Sequence, residues 1–78
     1  MSTNQATAAD AYAALRADIA RLLDVLGMEL DKHADTAKRE PADWGRAGDL
    51  AKVRGDLIGA VAFLAGMDPA NVEAFLAE

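Results

Sequence analysis

Cysteine is absent from this chain, which removes disulfides and thiolate metal sites at a stroke. Aromatic residues are scarce, with one tryptophan, one tyrosine and two phenylalanines, so a core built on large rings is excluded. Prolines number two. The longest uncharged run, Leu57 to Met67, is too short to span a bilayer. Residues 1–9 lack the basic start and apolar middle of a signal peptide, so the expected setting is the cytoplasm. Bases are the minority charge, 8 against 13 acids for a net −5. That balance disfavours nucleic acid as partner, because binding it draws on basic patches. At 78 residues the chain makes one small domain, and domains of this size need staples, assembly or very regular helix packing. With disulfides and thiolate metal excluded, the last two remain.

The residues that are present are mostly small and apolar. Hydrophobic types make up 53% of the chain, alanine prominent among them, a composition that favours helices. Residues 1–7 are expected to form a flexible tail ahead of a single helical domain over 8–78. Thr7 with Asp10 matches an N-cap followed by a first-turn acid, which starts helix 1 at Ala8. Its apolar stripe runs Tyr12, Leu15, Ile19, Leu22, Leu26, Leu30, His33, Ala37. From Leu15 the spacing repeats after eleven residues, keeping the stripe nearly straight along the helix. Pro41 ends helix 1 near Arg39, and residues 40–45 read as a turn. Helix 2 is expected over 46–65, stopping before Gly66, with Asp43 or Asp49 as its cap. Asp68-Pro69 restarts the chain as a third helix over 69–77.

Helix 2 carries two apolar faces. Leu50, Val53, Leu57, Val61 and Leu64 share one side at about 100° per residue. Roughly opposite lies a ladder of small residues, Gly48, Ala51, Gly55, Gly59, Ala62 and Gly66, joined by Ile58, Trp44 and Ala65. Glycine inside a helix costs roughly 0.5–1 kcal/mol relative to alanine, so Gly48, Gly55 and Gly59 together cost about 1.5–3 kcal/mol. Close approach of another backbone would offset that. The expected architecture is therefore all-α: a long helical hairpin with a short C-terminal helix, assembled as a homodimeric four-helix bundle. The ladder residues Gly48, Ala51, Gly55, Ile58, Gly59 and Ala62 are its expected interface. The alternative is a monomer in which helix 3 and the Trp44 turn fold back over the ladder.

Three features invite a chemical reading. His33 sits in the helix 1 stripe with Glu29 one turn before it, a candidate pH switch or metal pair. Two ligands fall short of the three or four that a metal needs, so a structural histidine is the expectation and no cofactor or metal is assigned. Trp44 is either a plug for the end of the bundle or an anchor for a protein partner. Lys38, Arg39 and Arg46 cluster at the turn, where they suit a helix C-terminus and would be the contact in a nucleic-acid-associated dimer. No nucleophile–base pair or phosphate loop is legible. The expected function is that of a non-enzymatic adaptor or regulatory module, acting on itself and on another protein. A sensing bundle using His33 and a nucleic-acid-associated dimer are the alternatives.

Overall fold

A computed structural model describes residues 7–78. They form three helices, α1 (Ala8–Arg39), α2 (Trp44–Ala65) and α3 (Pro69–Leu76), with no strand among the described residues. None of these helices is long and apolar enough to cross a membrane. The chain divides into two compact units at Arg39 and Glu40. Of the expected tail only Thr7 lies within the described residues.

The first unit is α1. Thr7 and Asp10 satisfy each other's amides: the Asp10 N–H donates to Thr7 Oγ1 at 3.0 Å, and the Thr7 N–H donates to Asp10 Oδ2 at 3.3 Å. This is a reciprocal capping box with aspartate in the acid position. Lys38 and Arg39 close the last turn, where positive charge faces the unbonded carbonyls. At 32 residues the helix is well beyond the ~12–15 below which isolated helices are marginal.

The second unit holds α2 and α3. Helix α2 begins at Trp44, two residues ahead of the expected 46, because Asp43 is the cap: its Oδ1 accepts from the Gly45 N–H at 2.9 Å. Asp49 lies inside the helix. At the other end Gly66 adopts φ 67° and ψ 34°, the left-handed region that costs other residues roughly 1–2 kcal/mol. The Met67 N–H reaches Ala62 O at 3.0 Å and the Gly66 N–H reaches Phe63 O at 3.4 Å, the paired bonds of a Schellman motif. Gly66 is thus a helix stop, a different role from the ladder glycines. Gly66→Ala should lower the stability of the chain by about 1 kcal/mol, read as a lower denaturation midpoint at unchanged helix content. An unchanged midpoint would contradict the cap.

Asp68 then caps α3, accepting from the Ala70 N–H at 3.4 Å, with Pro69 at the first helical position. The tight turn returns α3 onto α2. Ile58, Ala62 and Val72 pack together as the only buried apolar cluster among the described residues. Beside it Arg54 Nη1 meets Glu73 Oε1 at 3.3 Å, an exposed pair that adds little.

Candidate functional site

In the second unit, α3 occupies the side of α2 marked by Arg54, Ile58 and Ala62, at intervals of four residues. Two of the ladder residues, Ile58 and Ala62, are therefore covered within the chain, as the fold-back alternative anticipated for part of that face. The rest of the ladder stays open. A Cβ added at Gly48, Gly55 or Gly59 would meet nothing within 4 Å. Most of the large face is exposed as well: Leu50, Leu57 and Val61 are exposed and Leu64 is 82% exposed, while Val53 is half-buried. Lys52 and Asp56 mark the polar side, paired at 2.7 Å. That hydrogen bond, and the charge of Asp56, push the Lys52 pKa up from its ordinary 10.5. Because the folded value is the higher one, the pair's contribution is fully present below the unfolded value and is lost only in strong alkali.

Trp44 stands at the start of α2. Placed in the first turn of α2 by the Asp43 cap, it is 85% exposed. Phe63 is 84% exposed. It sits seven residues after Asp56 and eleven after Lys52, in phase with the polar side. An aromatic residue out of register with both apolar faces is a legible signal, and here it marks a ring that α2 presents to solvent beside Leu64.

The acidic turn accounts for Arg46. Its Nη2 donates to Glu40 Oε1 at 2.9 Å and its Nε lies 3.9 Å from Asp43 Oδ2. The Glu40 hydrogen bond raises the Arg46 pKa, with the charges of Glu40, Asp43 and Asp49 adding to it against desolvation. A guanidinium already held by two carboxylates presents little net charge to a phosphate. Lys38 and Arg39 belong to the last turn of α1.

In the first unit, His33 is half-buried on α1. The carboxylate of Glu29 is engaged by Lys32, whose Nζ donates to Oε2 at 3.0 Å. No group of three or more possible ligands capable of holding a metal occurs among the described residues. Along the same helix Leu15 and Leu22 of the apolar stripe are each 63% exposed and Ile19 is exposed too, while Leu26, His33 and Ala37 are half-buried. A shallow depression on its flank, lined by Asp18, Arg21, Leu22 and Val25, brings no set of polar groups to one point. No residue of α1 is buried.

No family model, curated protein or solved structure matches this chain.

Proposed function

We propose that this chain is a small non-enzymatic association module that works through protein–protein contact, with a second copy of itself as its first partner. The observation that carries this reading is the imbalance between apolar surface and burial. Among the described residues only Ile58, Ala62 and Val72 are buried, while a 32-residue helix and most of α2 display apolar side chains. Ordering the backbone costs roughly 1–2 kcal/mol per residue, and a buried cluster of this size offsets little of it. Association supplies the missing burial, and two-fold pairing is the commonest route for a small soluble protein. The proposed surface on α2 is the open part of the ladder, Gly48, Ala51, Gly55 and Gly59. Trp44 and Phe63 suit anchors for a different protein partner, since exposed aromatic rings are favoured at the centres of interfaces.

A four-helix bundle formed by two copies is the assembly this reading favours. The test is light scattering at tens of micromolar concentration. The expected mass is twice the 8.2 kDa of one chain. A strict monomer at that concentration would remove self-association from the reading.

A further inference from the structure

We infer that α3 is a detachable strap that limits how closely a second helix can approach the ladder of α2. This rests on the self-association reading above and concerns the regulation of that same surface. Of the residues expected at the interface, α3 already covers two: Ile58 is 8% exposed and Ala62 4%, with Val72 packed in the same cluster. At 100° per residue, Ile58 and Ala62 stand about 40° apart around α2, and Gly55 lies only about 20° beyond Ala62. Helices are about 10 Å across and pack with their axes 8–10 Å apart. Two of them seated on α2 at one level must therefore stand about 60° apart or more. The pair of Arg54 with Glu73 brings α3 to the level of Gly55. A second helix centred on Gly55, at the middle of the ladder, would overlap the docked α3. While α3 stays down, only the edge marked by Gly48 and Gly59 can be reached.

The hold on the strap is slight. Val72 is its one buried residue, Phe75 and Leu76 are exposed, and the ion pair with Arg54 is exposed as well. Eight residues are too few to persist as a free helix, so α3 docks and folds in a single step. Its release leaves α2 intact, because the bonds that close α2 run from Gly66 and Met67 back to Phe63 and Ala62 and involve no residue of α3. Such weakly held segments open ahead of the rest of a structure. A second copy that needs the whole ladder binds only the undocked fraction, so its apparent dissociation constant rises by the inverse of that fraction. Burial of one valine side chain favours the docked form by about tenfold or more.

Val72→Asp tests the strap in the full chain, since it changes α3 and leaves Gly48, Gly55 and Gly59 as they are. Sedimentation equilibrium over a dilution series should show V72D dimerising about tenfold more tightly than the unaltered chain. Amide exchange over residues 69–76 on the same samples reports whether α3 is free. Val72→Ala should give a smaller gain of the same sign, and serves if V72D does not stay in solution. Gly55→Leu added to V72D should remove the gain. A dimer no tighter in V72D, with α3 free, would overturn the strap, because docked α3 would then be neutral to the interface or part of it. A gain that survives Gly55→Leu would also overturn it, placing the new contact on the bared Ile58 or on α3 itself. A monomeric mass for the unaltered chain and V72D alike would instead defeat the self-association reading.

Discussion

Gly59→Leu and Gly55→Leu should leave the chain monomeric at concentrations where the unaltered protein is a dimer, while Lys52→Leu should not. In the single chain these glycines have open space where a Cβ would stand, so alanine meets no neighbour there. Intrinsic propensity alone makes alanine better than glycine at each position by roughly 0.5–1 kcal/mol. The alanine and leucine variants therefore give opposite signs under the two possible arrangements. If no backbone approaches the ladder, Gly55→Ala and Gly59→Ala raise the denaturation midpoint and the leucine variants associate as before. If a second helix lies close against it, alanine brings no such gain, and leucine holds the helices apart by the length of its side chain. Lys52 lies on the polar side, where its pairing with Asp56 is exposed, and serves as the control. Light scattering and denaturation on the same samples decide it. Normal assembly by all three leucine variants would sink the ladder as an interface.

The second large effect is expected at Val72. Val72→Asp would place a carboxylate against Ile58 and Ala62, and burying an unpaired charge costs several kcal/mol. Undocking of α3 relieves that cost. Freed from α2, an eight-residue helix is too short to persist in water, so the loss of docking is also a loss of helix. Amide exchange over residues 69–76 should then approach the rate of an unstructured segment, with a matching fall in helical circular dichroism. Val72→Ala should cost about 2 kcal/mol, from two buried carbons at roughly 0.8 kcal/mol each and the space left behind. Arg54→Ala, which removes only the exposed pair with Glu73, should do little. Protection of α3 unchanged by Val72→Asp would mean that something other than the Val72 contact holds it in place.

Much of the local structure was legible because it depends on neighbours in the chain. Thr7 with Asp10, Asp68 with Pro69 and glycine at position 66 are short-range devices, and each acts in the structure where its residue types indicate. The start of α2 shows the limit of such reading. Asp43 and Asp49 both have the chemistry of a cap, and the choice falls to Asp43 because its backbone is extended and its carboxylate meets the Gly45 amide. The same choice carries Trp44 into the first turn of α2, where it is exposed in the single chain. Phe63 was legible in phase, as an aromatic on the Lys52–Asp56 side, yet escapes a reading that sorts residues into apolar faces.

The ladder on α2 marks the boundary most clearly. Periodicity by itself determined that this helix has two apolar sides and that glycine and alanine line one of them, since residues three and four apart must share a face. Which side α3 would take was not contained in that pattern. The left-handed turn at Gly66 and the cap at Asp68 set the direction in which the chain returns, and the return path brings Val72 onto Ile58 and Ala62. Helical phase is a local property that any reader of the chain can count. The choice among open faces is made by where a turn sends the next helix, and there the tertiary structure covered one edge of the ladder and left Gly48, Gly55 and Gly59 open.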